Sequence, residues 1–193
     1  GEELAMTNGD FRSLEDFRDV ESLNAYRELT GSGRLEPEEM LSYLRYKSRD
    51  NARTPMQWDG SERAGFTQGT PWTGINPNCR EINAAEQLAR PDSVFHFYRR
   101  LIALRHAHEI IVYGSYQLLW PEDGQIFAYL RQWEGQRLLV VCNLSGQCAP
   151  AEIGPEFCGR EPLIATYDDT AVGPGMTLRP WEAFAVLQEE AAQ

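Results

Sequence analysis

The sequence has few basic residues for its length. Its 193 residues include 18 lysines and arginines against 29 aspartates and glutamates, which gives a formal net charge of −11. Nucleic acids and anionic membranes are bound through clustered lysine and arginine, so the charge balance argues against both partners. No membrane-spanning run, signal peptide or lipidation motif is visible either. We therefore expect a cytoplasmic protein; because the first residue is glycine, this expectation does not extend to any upstream segment.

Metal-binding cysteine patterns are also lacking. None of the four cysteines belongs to a Cys-x-x-Cys pair, and only three histidines could complete a site. Structural zinc sites use closely spaced ligands, so we predict no metal site and no cofactor. Cys142 lies in an apolar run, which favours its interpretation as a small core residue.

The chain does contain enough apolar surface for a core. Its composition is 42% hydrophobic and 11% aromatic, which argues against a wholly disordered chain.

In the N-terminal half, helix signals alternate with irregular loops. A capping box from Ser13 to Asp16 predicts a helical stretch that continues to Leu29. A proline and two glutamates at 37–39 predict a second helix that ends before Arg49.

A third helix is predicted where the N-terminal pattern ends. Residues 92–93 cap it, and apolar residues recur at helical spacing through Leu104. His106 and His108 lie near its C-terminal end, where they suit the helix dipole and need no catalytic role. Abundant glycine and proline between residues 49 and 90 predict a long ordered loop without regular structure.

After residue 109 the pattern changes to short runs rich in β-branched and aromatic residues. Turn signals at 122–124 and 134–135 separate the first three runs. The predicted strands are 112–120, 125–133, 136–144, 149–153, 163–167 and 183–187. Strands so close together, with no helix between them, predict an antiparallel sandwich or meander.

The segment from Ser48 to Asp59 is the most informative in the chain. Charged, amide, aromatic and proline residues follow one another there without a helical or strand period. Arginine offers a rigid fork of donors and tryptophan a flat apolar face, so this loop could hold a polyhydroxylated ligand. On residue types alone, a surface loop tied down by its own arginine–aspartate pairs is an equal alternative.

Eight short segments, in order along residues 1–144, carry a specific resemblance. They are Gly1–Asn8, Asp19–Asn24, Ser48–Asp59, Gly65–Thr67, Pro71–Trp72, Ile82–Asn83, Gln87–Leu88 and Tyr113–Tyr116. Together they resemble the α-glucosidases of the α-amylase superfamily, glycoside hydrolase family 13, and among these the oligo-1,6-glucosidases and dextran glucosidases. Beyond residue 144 the resemblance is faint.

The resemblance implies a (β/α)8 barrel followed by a C-terminal β-sandwich. Residues 1–109 would be the end of the barrel, and residues 110–193 the antiparallel β domain. The expected fold class is therefore an α+β fragment, with helices and loops from the last part of a barrel followed by a β-sandwich. Active sites of such barrels lie at the C-terminal ends of the strands, so residues 1–90 would form one wall of an active site.

The resemblance also implies hydrolysis of terminal α-linked glucose from oligosaccharides, with retention of configuration. Retention requires a nucleophile and an acid/base whose carboxyl groups lie about 5–5.5 Å apart. In the family both come from barrel strands that would precede Gly1. We therefore expect no catalytic residue in this chain and no activity of the chain alone. Glu2 and Glu3 belong to the eighth-strand motif and are not the catalytic pair.

Arg53 is the single functional residue that the resemblance carries over. It matches the arginine that binds the glucose in the cleaved subsite, together with an aspartate from an early barrel loop. A charged pair that closes the pocket would restrict cleavage to terminal glucose. Arg49, Asp50 and Gln57 are expected to hold the loop in shape.

Three other residues carry structural expectations. Trp58 and Trp72 are expected to be buried under the loop, and not to stack on sugar. Ala5 stands where the family has glycine. If the backbone there has a positive φ, alanine strains the turn.

Several alternatives remain open. Within the family, the protein could be a trehalose-6-phosphate hydrolase or a sucrose isomerase. Outside it, a free-standing β-sandwich could bind carbohydrate or a partner chain through Tyr113, Tyr116 and Trp120. The expected partners are an α-glucoside oligosaccharide and the barrel residues that this chain lacks. Without those residues, exposed apolar faces of the 92–108 helix and of residues 1–8 predict self-association or a disordered stretch within residues 1–90.

Overall fold

The computed structural model describes residues 1–189. They divide into two compact units, one formed by Gly1–Tyr98 and one that begins at Arg99. The first unit is helical and the second contains all the described strands. A domain boundary at residue 109 stays a prediction. Among the described residues, no helix combines the length and the apolar character that a bilayer crossing needs.

The helices are short and are separated by ordered loops. The α-helices are α1 (Val20–Gly31), α2 (Pro37–Lys47), α3 (Ala84–Ala89), α4 (Val94–Ala107) and α5 (Ile110–Tyr113). Among the described residues, 3₁₀-helices cover Glu2–Leu4, Leu14–Asp16, Arg49–Arg53 and Pro77–Arg80.

Helices α1 and α2 pack over the small core of the first unit. Phe11, Phe17, Met40 and Leu44 form its buried cluster. The predicted second helix is confirmed, with Pro37 in its first turn and its end just before Arg49.

The predicted first helix begins later than expected. The Ser13–Asp16 capping box is present, but it closes a single 3₁₀ turn. Asp19 then caps α1 separately, because its carboxylate accepts the backbone N–H of Ser22 at 3.0 Å. Two caps in close succession therefore divide the predicted helical stretch.

The prediction of a loop without regular structure over residues 49–90 was wrong. This segment contains two 3₁₀-helices and α3. Ser48, Asn76 and Asn83 each accept a backbone N–H with the side chain at the start of one of these helices. Such caps stabilise short turns that glycine and proline would otherwise interrupt.

The described part of the second unit contains two antiparallel sheets. The strands are β1 (Gln117–Leu119), β2 (Ile126–Trp133), β3 (Gln136–Asn143), β4 (Ala149–Ala151), β5 (Ile164–Ala165), β6 (Met176–Leu178) and β7 (Ala183–Glu189). One sheet has the order β1-β2-β3-β7-β5, and β4 pairs with β6 in the other. Glu134 and Gly135 connect β2 to β3 with φ of 44° and 78°, as a two-residue hairpin of the primed type requires.

Both sheets contribute to one buried core. Alternate residues of β2 point inward, namely Ile126, Ala128 and Leu130. Ala151 and Leu178 from the smaller sheet belong to the same cluster. The predicted antiparallel sandwich is therefore confirmed.

Three local predictions for this unit were wrong. The strand predicted for 112–120 began too early, since Ile110–Tyr113 form a helical turn in which the carbonyl of Ile110 accepts the N–H of Gly114, and the strand covers only Gln117–Leu119. Strand β6 was missed, since three residues show no clear alternation. Cys142 is half-buried opposite the exposed Phe127, on the outer face of the sheet and not in the core.

Candidate substrate-binding wall

The turn Arg49–Arg53 carries the residues that the sequence singles out. Helix α2 ends at Lys47, and the Ser48 hydroxyl then accepts the backbone N–H of Asp50 at 3.2 Å. In the 3₁₀-helix that follows, residues three apart lie on the same side. Asp50 and Arg53 therefore project together.

Asp50 is the buried member of this pair. Its side chain is 0% exposed, and its Oδ2 accepts the backbone N–H groups of Arg18 at 2.7 Å and Asp19 at 2.9 Å. Its Oδ1 is also buried and has no hydrogen-bond partner, but it lies 3.9 Å from Nη1 of Arg53. The carboxylate thus joins the start of α1 to the turn that follows α2.

Arg53 reaches outward from the same cluster. Its Nη1 donates to Oδ1 of Asp19 at 3.3 Å, and its side chain is 43% exposed. The guanidinium is therefore held at one nitrogen, with donors left for a ligand.

Asp19 was not singled out as a site residue, although it lies in a quoted motif. Its Oδ2 accepts both the N–H and the hydroxyl of Ser22, each at 3.0 Å. The hydrogen bond from the Ser22 N–H lowers the pKa of Asp19, and the nearby charge of Arg53 lowers it further. The usable signal was its position as a helix cap 34 residues before Arg53, but contact across that distance requires the fold.

Arg49 occupies a different environment. Its Nη2 lies 2.9 Å from Oε2 of Glu21, and both side chains are about two-thirds exposed, at 66% and 71%. Exposed pairs of this kind contribute little to stability. The Arg49–Glu21 pair therefore stabilises the loop little, and little free energy is lost when the Arg49 guanidinium leaves it for another partner.

Gln57 fixes the second half of the loop. Its side chain is fully buried, and its Nε2 donates to Oδ1 of Asn78 at 3.1 Å and to the carbonyl of Ile82. Its backbone carbonyl accepts the N–H of Ala84 at 2.8 Å. Gln57 thus holds residues 55–59 against the segment that leads into α3.

The expected burial of Trp58 and Trp72 was wrong. Trp58 is 53% exposed and Trp72 65% exposed. The backbone of Trp58 pairs with the carbonyl of Ala64, so the chain is anchored without its ring. Both rings leave apolar faces open on the first unit.

An open depression of about 670 Å³ lies beside the turn. It is lined by Gly1, Glu2, Met6, Thr7, Asn8, Tyr46, Ser48, Asn51, Ala52, Thr54 and Met56. Asn8 ties its two sides together, because its Nδ2 donates to the carbonyls of Arg45 and Tyr46 at 3.1 Å each. Of the Arg49–Arg53 turn, Asn51 and Ala52 line this depression beside residues 1–8, whereas Arg49, Asp50 and Arg53 are not among its lining residues.

Glu2 and Glu3 lie in the first 3₁₀-helix, and their expected absence from catalysis stays a prediction. Oε1 of Glu2 accepts the hydroxyl of Tyr98, and this hydrogen bond raises the pKa of Tyr98. The partly exposed guanidinium of Arg53 offers hydrogen-bond donors and charge, which suit the binding of hydroxyl groups.

Comparison with known families gives this wall its context. Residues 1–114 match the alpha amylase catalytic domain, and residues 116–183 match the C-terminal domain of maltogenic amylase. The chain belongs to the α-amylase family. Its fold class is as predicted, namely part of an α-amylase catalytic domain followed by an antiparallel C-terminal domain.

Individual relatives are similar over nearly the whole chain. The oligo-1,6-glucosidase of Parageobacillus thermoglucosidasius is 46% identical over 187 residues, which are 95% of this chain and 33% of that protein. The trehalose-6-phosphate hydrolase of Escherichia coli K12 is 44% identical over 98% of this chain and 34% of its own length.

A solved structure agrees with these relatives. The crystal structure of isomaltulose synthase from Klebsiella sp. LX3 has a TM-score of 0.90 and 39% identity, over 97% of this chain and 34% of that one. The chain thus spans about a third of the length of the relatives it matches.

Proposed function

We propose that this chain is the C-terminal part of a retaining α-glucosidase that hydrolyses terminal α-linked glucose from oligosaccharides. Its role in that enzyme is to supply one wall of the glucose pocket, with Arg53 as the contact to the sugar. The catalytic nucleophile and acid/base belong to the barrel part that this chain lacks, so the 193-residue chain is inactive alone. The four free cysteines support the proposed cytoplasmic location.

The observation that carries this proposal is the environment of Arg53. One guanidinium nitrogen is held by Asp19 at 3.3 Å, while the side chain remains 43% exposed. A guanidinium that is oriented by protein and open on one side is suited to donate to sugar hydroxyls. The similarity to an oligo-1,6-glucosidase and a trehalose-6-phosphate hydrolase supports the glycosidase class and leaves the substrate open.

The test uses the complete reading frame that contains this chain. The purified protein is assayed with isomaltose, panose, trehalose 6-phosphate and sucrose, and the first anomer released is followed by NMR. We expect glucose released as the α-anomer from at least one of the first three substrates. Conversion of sucrose to an isomer would favour the sucrose isomerase alternative, and no turnover of any α-glucoside would refute the proposal.

Arg49 is a second candidate for the sugar contact. It is 66% exposed, and its partner Glu21 is exposed too, so little stability is lost when the pair opens. Arg53→Ala and Arg49→Ala in the complete enzyme distinguish the two. We expect the larger rise in KM from Arg53→Ala; a larger rise from Arg49→Ala would transfer the role to Arg49.

The free-standing binding module is supported by exposed aromatic residues. Tyr113 and Tyr116 are 62% and 57% exposed. Trp120 is partly buried and packs against the core of the second unit, so it offers less surface to a ligand than the two tyrosines do. Titration of the 193-residue chain with malto- and isomalto-oligosaccharides tests this function. Millimolar or tighter binding that is lost in Tyr116→Ala would support it.

A further inference from the structure

The Asp50 carboxylate is fully buried, yet it contacts both the start of α1 and the turn that carries Arg53. Its Oδ2 binds the backbone of Arg18 and Asp19, and Asp19 is the residue that holds the Arg53 guanidinium. Its Oδ1 faces the same guanidinium at 3.9 Å. A fully buried carboxylate oxygen without a hydrogen-bond partner is unfavourable unless a nearby positive charge compensates it.

The geometry points to Asp50 as a positioning residue for Arg53, which sets how tightly the enzyme binds its terminal glucose. This inference rests on the proposed function of Arg53. Through Oδ2, Asp50 fixes the distance between the cap of α1 and the turn that carries Arg53. Through Oδ1, it supplies a second negative charge that keeps the guanidinium near the wall when substrate hydroxyls compete for it.

A second contact holds the same junction. The hydroxyls of Ser22 and Ser48 lie 3.0 Å apart. The Ser22 hydroxyl also donates to Asp19, and the Ser48 hydroxyl accepts the backbone N–H of Asp50. The start of α1 and the end of α2 are therefore joined at two buried points. This makes a change in Asp50 local, because the serine pair still holds the helices together.

Asp50→Asn separates the two roles of the carboxylate. The amide oxygen can keep both backbone N–H groups, whereas the amide NH2 then faces Arg53 in place of a negative oxygen. In the complete enzyme, with the substrate turned over most efficiently by the wild type, we expect KM to rise about tenfold while kcat changes much less.

Asp16→Asn is the matched control. Oδ2 of Asp16 also accepts two backbone N–H groups, from Arg12 at 2.8 Å and Ser13 at 2.9 Å, but it has no contact with Arg53 among the described residues. A purely structural effect of losing such a carboxylate would appear in both variants as a lower melting temperature. Only Asp50→Asn should raise KM.

A double-mutant cycle distinguishes positioning from general loosening. If Asp50 acts through Arg53, Asp50→Asn has little further effect on kcat/KM in an Arg53→Ala background. Should Asp50→Asn fail to fold, Ser48→Ala replaces it, because it relaxes the same turn without a change of charge. It is then expected to raise KM to a smaller extent.

Three results would overturn the inference. They are an unchanged KM in Asp50→Asn (or in Ser48→Ala, if it must be used), additive effects in the cycle, and coupling of Asp50 to Arg49 in place of Arg53. A wild-type enzyme without activity on any α-glucoside would instead refute the proposed function itself. An active enzyme whose Arg53→Ala variant keeps its KM would refute the role of Arg53 and this inference together.

Discussion

Ala5 adopts a left-handed backbone conformation, with φ of 60° and ψ of 35°, at the end of the first 3₁₀-helix. A residue with a β-carbon is strained there by about 1 kcal/mol relative to glycine. We expect Ala5→Gly to raise the free energy of unfolding by about 0.5–1 kcal/mol, measured by urea denaturation of the 193-residue chain.

The control for this change is Ala85→Gly. Ala85 is exposed in the first turn of α3, where glycine is the poorer helix former and should lower the free energy of unfolding by about 0.5–1 kcal/mol. Equal destabilisation by both changes would show that the left-handed turn at Ala5 carries no strain.

Glu182 is the most strongly perturbed acid among the described residues. It is 2% exposed and forms two hydrogen bonds to the Arg179 side chain, and this contact lowers its pKa to about 2. Because the pKa is depressed in the folded state, the stabilisation is present above the unfolded value of about 4.5 and is lost as the pH falls towards 2. We expect Glu182→Gln to lower the free energy of unfolding by about 1–3 kcal/mol at pH 7, and by roughly half as much or less at pH 3.

Asp169→Asn provides the comparison, since Asp169 also pairs with Arg179, at 2.7 Å, but is 79% exposed. Thermal unfolding between pH 3 and pH 7 should show little change for this variant. If the two variants lost the same stability across that range, burial would not be the reason for the strength of the Glu182 pair.

At the scale of elements, the β2–β3 hairpin depends on its two-residue turn. Gly135 has φ of 78°, in the region that favours glycine. We expect Gly135→Ala to lower the free energy of unfolding by about 1 kcal/mol, whereas Gly124→Ala should be nearly neutral. Gly124 has open space around it and no positive φ. Chemical denaturation compares the two, and a neutral Gly135→Ala would contradict the proposed turn.

The elements that the sequence predicted well have strong local signals. Pro37 with two following glutamates marks the start of α2, and Glu134-Gly135 marks the hairpin between two alternating strands. Strand β1 was predicted too long, and strand β6 was missed because its three residues are defined by pairing with β4, more than twenty residues away. Short capped helices within residues 49–90 were hidden by the surrounding glycines and prolines.

The candidate site was predictable in part, because some of its residues also lie in a strong local sequence motif. The motif around Arg53 could be recognised in the sequence, and Asp50 and Gln57 were expected to hold the loop. The contact of Arg53 with Asp19 could not be predicted, because it depends on how α1 and α2 return to the same place. Nor could the exposure of Trp58 be predicted, because the backbone of this residue, and not its ring, makes the contact with Ala64.

At the scale of the whole molecule, helix α4 has apolar side chains that the other described residues do not bury. None of its residues is buried, and Leu101 and Ile102 are 39% and 54% exposed. Exposed apolar helix faces favour association, so self-association of the 193-residue chain stays a prediction. We expect sedimentation velocity to show concentration-dependent association that Ile102→Gln weakens and Arg105→Gln does not. A monomer at all concentrations would contradict it.

The hydrogen bonds from Arg18 and Asp19 to the Asp50 carboxylate determine where the chain can tolerate a change in length. They join residues 18–19 to residue 50, so α1 and α2 leave this point and return to it. The connection at residues 32–36 lies at the far end of this excursion, about 18 Å away along α1 at 1.5 Å per residue. Insertions or deletions at that tip should therefore leave Arg53 in place, whereas a single residue added between Ser48 and Arg53 should displace it.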